Sequence, residues 1–265
     1  MLATALHLAL TGTIAVAGLM LLLWIIHLLI RNAAIVDAGW AASLAVLAIL
    51  YAIQGPGYFA RRWLIAFMAA FWGLRLAFYL LFSRVIGKPE EGRYVQLRRE
   101  WKTNLPLRFL FFFEFQALLT VILSLPFLLA SMNARAPLRP FEKIGTALWL
   151  VSICGEAVAD FQLNRFRKNP QTRGRTFRSG LWRYSRHPNY FFEWMIWIAY
   201  AVFALGSPWG WLGLISPALM LLFLLGSTGI AATEAQALRT RGAEYRAYQR
   251  STSTFIPWFP RNNPA

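Results

Sequence analysis

The polar residues best placed to do chemistry in this chain lie within a long apolar stretch. Glu156, Asp160, Asn164 and Arg167 recur there at i, i+4, i+8 and i+11, a spacing that stacks them on one face of an α-helix. Ionisable groups in an apolar segment are costly and usually face a cavity or a partner. The face is therefore a candidate polar binding surface. A ladder of ion pairs that only locks helices together is the alternative.

A second candidate opens the next apolar stretch, in the sequence GLWRYSRHPNY at residues 180–190. Pro188 suits the first position of a helix, because the N–H that proline lacks would have no helical partner there. His187 is then the predicted N-cap. The open N–H groups of that first turn, close to Arg178 and Arg186, are typical of an anion site. The side chains that share one helix face at i, i+3, i+4 and i+7 are Arg186, Asn189, Tyr190 and Glu193.

His187 could be a general acid or base, a metal ligand, or a contact to a phosphate or ribose. The chain has three His and one Cys, and His187 has neither an HxxE nor an HxxxH partner, so we expect no metal site. Phosphate or ribose contact is the interpretation we adopt. The single cysteine, Cys154, also excludes a disulfide framework.

The tail repeats this mixture of acid, base and phenol. Glu234, Tyr245 and Tyr248 are its candidate binding residues, and the chain closes with FIPWFP at 255–260. One interpretation is an amphipathic interfacial helix with an aromatic anchor. The other, which we favour, is that the tail packs over the same pocket as the arginine-rich loop.

The elements that position these residues follow from composition. Hydrophobic residues are 58% and charged residues 14% of the 265, against about 25% charged in an average globular chain. This excludes disorder, coiled coil and nucleic-acid binding, and predicts an all-α polytopic membrane protein. A spanning helix needs roughly 20 apolar residues. Seven stretches qualify as predicted transmembrane helices: 5–30, 33–53, 63–83, 107–130, 141–163, 189–206 and 208–230.

The distribution of basic residues predicts the orientation. With the N-terminus outside, 21 of the 27 basic residues fall in inside segments and five in outside segments, so the C-terminus and the large basic loops are predicted to be cytoplasmic. Contact with anionic lipid heads is one interpretation of this charge. Arg outnumbers Lys by 23 to 4, and this favours side chains that grip phosphate or carboxylate in a fork.

Three segments together resemble a known family. They are 179–193, the preceding Asp160 with Arg167-Lys168-Asn169-Pro170, and Tyr245 with Tyr248 and FIPW at 255–258. They are similar to the C-terminal region of steroid 5-alpha reductases and their bacterial relatives. More distantly, they resemble sterol C14 reductases and isoprenylcysteine carboxyl methyltransferases. The close likeness covers about residues 150–260, and WGLRLAFY at 72–79 with Arg84 extends it in outline.

The resemblance implies a membrane reductase that binds NADPH from the cytoplasmic side. It implies one integral membrane domain, 1–265, with substrate-cavity helices mainly in 1–135 and NADPH-binding helices and loops mainly in 136–265. No GxGxxG follows a strand, which excludes a Rossmann domain, so the cofactor is expected among helices. The predicted cofactor-binding residues are Arg75, Arg84, Glu156, Asp160, Asn164, Arg167, Arg178, Tyr184, Arg186, His187, Asn189, Tyr190, Glu193, Glu234, Tyr245 and Tyr248.

The resemblance also implies a Glu–Tyr pair, supported by a Gln, that polarises a substrate carbonyl. Trp72 stands where the donor tyrosine of the family is expected, so another residue must donate. Tyr79 or Glu114 is the predicted donor and Gln116 the predicted orienting residue. Asp37, in VDAGW, is structural or a relay.

The sequence thus predicts reduction by NADPH of the carbon–carbon double bond of a 3-oxo-Δ4 steroid or a similar apolar enone. The alternatives are an S-adenosylmethionine-dependent methyltransferase of the isoprenylcysteine type and a non-catalytic lipid-binding membrane protein. The expected surroundings are membrane lipids, in a bacterial inner membrane, with no nucleic-acid partner. A monomer is compatible with the sequence.

Overall fold

The computed structural model describes residues 2–226 and 229–261, and in these ranges the chain is helical, with one isolated parallel bridge between Ser185 and Ser253. The absence of strands from the described ranges confirms the predicted all-α class. The α-helices are α1 (Leu2–Ile30), α2 (Ile35–Gln54), α3 (Phe59–Leu80), α4 (Gly92–Trp101), α5 (Leu105–Leu123), α6 (Leu125–Ser131), α7 (Pro140–Lys168), α8 (Pro188–Ala204), α9 (Ile215–Leu225) and α10 (Ile230–Ser251).

Six helical segments of the described chain are long and apolar enough to cross a membrane, which bears out an integral membrane protein. They are Leu2–Ile30, Ile35–Gln54, Phe59–Val85, Leu105–Leu123, Pro140–Lys168 and Gly210–Ser251. The span predicted at 189–206 is the 17-residue helix α8. Residues 227 and 228 of the span predicted at 208–230 lie outside the described residues. The count of seven spans and the orientation stay predictions.

The segment predicted as one span at 107–130 is two helices, α5 and α6, that meet at Ser124. Pro126 lies in the first turn of α6, where it cannot donate the backbone hydrogen bond that would continue α5. The Ser124 hydroxyl donates instead to the Val121 carbonyl, 2.8 Å away. The prediction of a single helix was therefore wrong at this proline.

The first compact unit comprises Met1–Lys143 and Tyr200–Ser216. Its centre is α2, which packs against α1, α3 and α5. Small residues bring these helices close together: a Cβ on Gly73 would lie 2.7 Å from the Ala41 carbonyl oxygen, and one on Gly39 would lie 2.2 Å from Leu23. Close backbone approach at small residues is the usual basis of helix association in membranes.

The second compact unit comprises Ile144–Ala199 and Pro217–Ala265. It holds most of α7 and α8, the loop between them, and the tail helix α10. Gly155 lets the Phe192 ring pack directly on α7, since a Cβ there would lie 2.4 Å from that ring. Helix α10 kinks at Gly242, whose φ of 51° suits glycine.

Candidate functional site

The start of α8 is built as the sequence predicts. The helix begins at Pro188, and the His187 carbonyl accepts the first helical hydrogen bond, from the Phe191 N–H at 3.1 Å. The Ser185 hydroxyl accepts the His187 N–H at 3.1 Å. The imidazole ring stacks on Tyr190 with the ring centres 5.6 Å apart. Local sequence therefore fixes both the helix start and the orientation of His187.

Arg186, next to this helix start, is bonded entirely by protein. Its Nε and Nη2 donate to the two carboxylate oxygens of Glu234, at 2.6 and 3.2 Å. Nη1 donates to the carbonyls of Gln249 and Thr252, and Nη2 also donates to the Thr254 hydroxyl at 2.7 Å. A guanidinium has five N–H donors, and all five are used here. In this arrangement Arg186 holds the tail instead of offering N–H groups to a phosphate.

Glu234 is the acceptor that the surrounding donors share. Besides Arg186, it accepts from Gln249 Nε2 at 2.8 Å and from the Tyr245 hydroxyl at 3.4 Å, and His187 Nε2 lies 3.2 Å away. Four side chains from two segments converge on one carboxylate. Direct contacts therefore join the tail to the segment that precedes α8. That the two enclose one pocket stays a prediction.

Tyr248 completes the attachment of α10 to the loop. Its hydroxyl donates to the Trp182 carbonyl and lies 3.3 Å from the Ser185 carbonyl. The ring is buried and carries the Arg178 guanidinium above it at 5.5 Å. The Tyr184 side chain is exposed, and the Tyr184 carbonyl accepts the Trp258 N–H at 2.9 Å. Tyr245 and Tyr248 therefore act in packing, and their hydroxyls face protein acceptors.

Asp160 and Asn189 form the contact that best fits a bound polar ligand. The Asn189 amide donates from Nδ2 to Asp160 Oδ1 at 3.1 Å, joining α7 to α8. The Asn189 carbonyl oxygen, Oδ1, is buried and accepts no hydrogen bond from any described residue. A buried acceptor without a hydrogen bond lowers the stability of the fold. This oxygen therefore requires a donor that the described chain does not supply.

The other residues of the predicted α7 and α8 faces differ in how deeply their side chains are buried. Glu156 is buried, whereas Asn164 and Arg167 are exposed at the end of α7. Glu193, one turn beyond Asn189, accepts from Trp197 Nε1 at 3.2 Å. The predicted face is thus a gradient from a buried acid to an exposed arginine.

The last turn of α7 and the loop between α7 and α8 carry exposed cations whose side chains form no ion pair with any described carboxylate. Glu244, the acid nearest to it, accepts the backbone N–H of Thr176 at 3.0 Å and so holds the loop rather than neutralising it. Unpaired guanidinium groups are suited to forked contacts with phosphate. These exposed side chains are Arg165, Arg167, Lys168, Arg173, Arg175 and Arg183.

The first unit contains a polar cluster around Asp37. Arg93 Nη2 and the Tyr94 hydroxyl each lie 2.8 Å from Asp37 Oδ1, and Arg84 Nη1 lies 3.5 Å from Oδ2. Arg84 also pairs with Glu91 at 3.1 Å. It belongs to a π-helical turn, Leu81–Val85, that ends α3, and such turns occur frequently at functional sites. Asp37 is therefore tied into a structural network.

Tyr94 is a residue that the sequence analysis missed. Its ring is fully buried, and burial together with the negative charge of Asp37 raises the pKa of its hydroxyl well above the ordinary value. It lies on the short polar helix α4, in a stretch that had been interpreted only as a basic loop. An aromatic ring among the charged residues of 84–108 was the available signal.

Among the described residues, Tyr79, Glu114 and Gln116 do not contact one another by hydrogen bonds. Tyr79 is 59% exposed on α3, while Glu114 and Gln116 are half-buried on α5. Among the described residues, none of these three side chains makes a hydrogen bond or an ion pair. Trp72 is fully buried and meets Trp40 edge-on at 6.0 Å, as a core residue would. The roles of Tyr79, Glu114 and Gln116 stay predictions.

Comparison with known proteins gives the family. The model described as "Protein of unknown function (DUF1295)" matches residues 23–252. The chain belongs to the DUF1295 family. It is also 28% identical over 269 residues to the uncharacterized protein C594.04c of Schizosaccharomyces pombe. The aligned region covers 89% of this chain and 75% of the yeast protein. No solved structure matches the chain.

Proposed function

We propose that this DUF1295 protein is an NADPH-dependent reductase of the carbon–carbon double bond in a 3-oxo-Δ4 steroid or a similar apolar enone. The observation that carries the proposal is the Asp160–Asn189 pair. It presents a buried amide oxygen in need of a donor, and ribose hydroxyls and the nicotinamide carboxamide are donors of the right kind. The resemblance of residues 150–260 to the C-terminal region of steroid 5-alpha reductases supports the same function.

The unpaired cations of the last turn of α7 and of the α7–α8 loop would hold the phosphates. Arg167 lies at the end of α7, two helical turns beyond Asp160, so it is suited to bind phosphate while Asn189 binds a ribose or amide group. S-adenosylmethionine has no phosphate for these cations, and this favours a dinucleotide over the methyltransferase alternative. Arg186 and Glu234 contribute by fixing the loop and tail, because their own hydrogen bonds are made to protein.

When bound, NADPH supplies the hydride for the β carbon of the enone. Negative charge then develops on the carbonyl oxygen, and a donor placed there stabilises it. Tyr79 or Glu114 would donate to that oxygen, and Gln116 would orient the donor. A proton must then reach the α carbon. Asp37 would act structurally, because Arg93 and Tyr94 already bind its carboxylate.

An apolar substrate suits the surroundings of these residues. Helices α1, α2, α3 and α5 carry exposed Leu, Ile or Phe side chains along their lengths, so a flat molecule dissolved in the bilayer can reach them. We place the protein in a bacterial inner membrane with the cofactor site facing the cytoplasm, because the basic loops are expected on that side.

The proposal is tested by equilibrium binding of NADPH and NADH to the detergent-solubilised protein. We expect tighter binding of NADPH, and loss of that preference in Arg167→Ala, since the 2′-phosphate is the only difference between the ligands. Arg99→Ala, an exposed arginine on α4, is the matched control. Equal affinity for both nucleotides, or saturable binding of S-adenosylmethionine in their place, would contradict the reductase.

Activity is tested by NADPH oxidation against a panel of steroid and non-steroid enones. Tyr79→Phe and Glu114→Gln are expected to lower turnover by about a hundredfold, a typical value for the loss of one positioned donor. Nucleotide affinity should change little in both variants. Wild-type turnover in either variant would remove that residue from the site.

A further inference from the structure

The first unit contains a cavity of about 490 Å³ that is remote in sequence from the residues discussed above. Its walls come from two connections: the segment between α6 and α7, and the turn that follows α8. The lining includes Arg135, Arg139, Phe141, Leu205, Ser207 and Pro208. The first wall therefore carries both cations, and the second is apolar except for the Ser207 hydroxyl.

A buried ion pair forms the base of this region. Arg61 Nε donates to Glu142 Oε1 at 2.6 Å, and both side chains are fully buried. Arg61 Nη1 also donates to the carbonyls of Asn133 and Arg135, each at 2.7 Å, and Nη2 donates to the carbonyl of Pro137 at 3.3 Å. The backbone acceptors of the α6–α7 connection therefore point inward to Arg61.

The second wall is joined to the first by direct hydrogen bonds. Asn133 Nδ2 donates to the Gly206 carbonyl at 3.0 Å and to the Ser207 hydroxyl at 3.2 Å. A Cβ on Gly206 would lie 2.7 Å from Glu142 Oε1, so the turn sits directly on the ion pair. The two connections that line the cavity are thus fixed to each other.

The groups left for a ligand are donors. Glu142, the nearest carboxylate, is bonded to Arg61 and also accepts the backbone N–H of Arg139. The guanidinium groups of Arg135 and Arg139 are exposed and pair with no carboxylate in the described chain. The Glu142 carboxylate and the carbonyls of the α6–α7 connection are bonded to Arg61. Because two cations line the cavity, the complementary ligand is an anion.

Nearby aromatic side chains indicate the depth of the cavity in a membrane. Trp209 and Trp211, which follow the second wall, are 65% and 59% exposed, and Phe141 in the first wall is 47% exposed. Exposed tryptophans at helix ends are typical of the membrane–water interface. An anion held at this depth, beside an apolar wall, is the phosphate of a lipid headgroup. We propose that this cavity binds the phosphodiester headgroup of an anionic phospholipid.

The experiment uses native mass spectrometry of the full-length protein in detergent, titrated with dioleoylphosphatidylglycerol. Dioleoylphosphatidylcholine, glycerol 1-phosphate and inorganic phosphate are separate arms that distinguish a lipid from a soluble anion. We expect one tightly retained phosphatidylglycerol, and binding weakened about tenfold in the double variant Arg135→Gln/Arg139→Gln, because each cation near a membrane surface contributes on the order of a few-fold.

The matched control is Arg99→Gln/Arg108→Gln, which removes the same charge from exposed positions elsewhere in the unit. It should bind phosphatidylglycerol as the wild type does. As a second measurement, wild-type affinity should fall with added salt, and that of the Arg135/Arg139 double variant should hardly change. Equal losses in the two double variants, equal retention of phosphatidylcholine, or equal affinity for glycerol 1-phosphate would each overturn the proposal.

Discussion

Arg186 and Glu234 form a two-point ion pair, with Nε to Oε1 at 2.6 Å and Nη2 to Oε2 at 3.2 Å, and their side chains are 7% and 15% exposed. The pair links the residue before the N-cap of α8 to helix α10. Because the remaining N–H groups of Arg186 bind the Gln249 and Thr252 carbonyls and the Thr254 hydroxyl, one side chain fixes the whole tail. The segment before α8 and the tail are therefore held together by hydrogen bonds within the protein.

The first prediction concerns this pair. Arg186→Lys should lower the free energy of unfolding by about 2–4 kcal/mol, because a lysine cannot replace five forked donors and Glu234 would be left partly unpaired. The measurement is the thermal unfolding midpoint in detergent. Arg250→Lys, at an exposed position of the same helix, should leave it unchanged. An unaltered midpoint in Arg186→Lys would mean that the tail is held by other contacts.

The second prediction concerns Asn189. Asn189→Asp would replace the amide that donates to Asp160 at 3.1 Å with a second carboxylate, and like charges at that distance repel. We expect NADPH binding to weaken by about tenfold or more, the effect of losing one buried hydrogen bond to a charged group. Asn104→Asp is the control, since Asn104 is exposed and directly precedes α5, far along the chain from the proposed cofactor residues of α7 and α8. Equal NADPH affinity in the two variants would remove Asn189 from the site.

The third prediction is a pH dependence set by Tyr94. Burial and then the charge of Asp37 raise the pKa of its hydroxyl above the 10.0 of free tyrosine. The folded protein therefore holds this proton more tightly than the unfolded chain, so the stabilisation is full below pH 10 and is lost as the pH rises further.

Tyr94→Phe tests this directly. Near pH 8 it should be less stable than the wild type by about 1–2 kcal/mol, because the hydrogen bond to Asp37 is lost. Above pH 10 the difference should shrink, since only the wild type has this hydroxyl to ionise. Unfolding midpoints across pH 8 to 11 give the comparison, and a constant difference would show that the Tyr94 proton is not coupled to folding.

The fourth prediction concerns Arg61 and Glu142. Glu142→Gln should cost about 3–5 kcal/mol, because it leaves a fully buried guanidinium without its counter-charge. The double variant Arg61→Met/Glu142→Gln should not recover wild-type stability, since the carbonyls of Asn133, Arg135 and Pro137 would lose their donor. Full recovery in the double variant would show that these carbonyls find other partners. Thermal unfolding in detergent measures both.

Local sequence was sufficient for several elements of the fold. Pro188 starts α8 as predicted, because a proline fixes its own φ and lacks the N–H that a first turn does not need. The apolar stretches became helices because every backbone group in a bilayer must be bonded within its own segment. The same logic failed at Pro126, where one predicted span is two helices.

The candidate site divides along a similar line. The helix face that carries Asp160 and the one that carries Asn189 could each be predicted, since helical periodicity decides which side chains share a face. The partners of Asp37 could not, because Arg93 and Tyr94 lie 56 and 57 residues further along the chain. The contacts of Arg186 could not be predicted for the same reason, because Glu234, Gln249, Thr252 and Thr254 lie far along the chain.

The sequence by itself determined that this is a helical membrane protein with a cationic loop before a helix that begins at a proline. These features depend only on residues that are close together in the chain. Only the tertiary structure decided which charges are bonded within the protein, as Arg186 is, and which are exposed, as Arg167 is. A guanidinium or a carboxylate is chemically the same in both situations. The difference lies in the acceptors and donors that folding brings within about 3 Å, the distance at which a hydrogen bond is made.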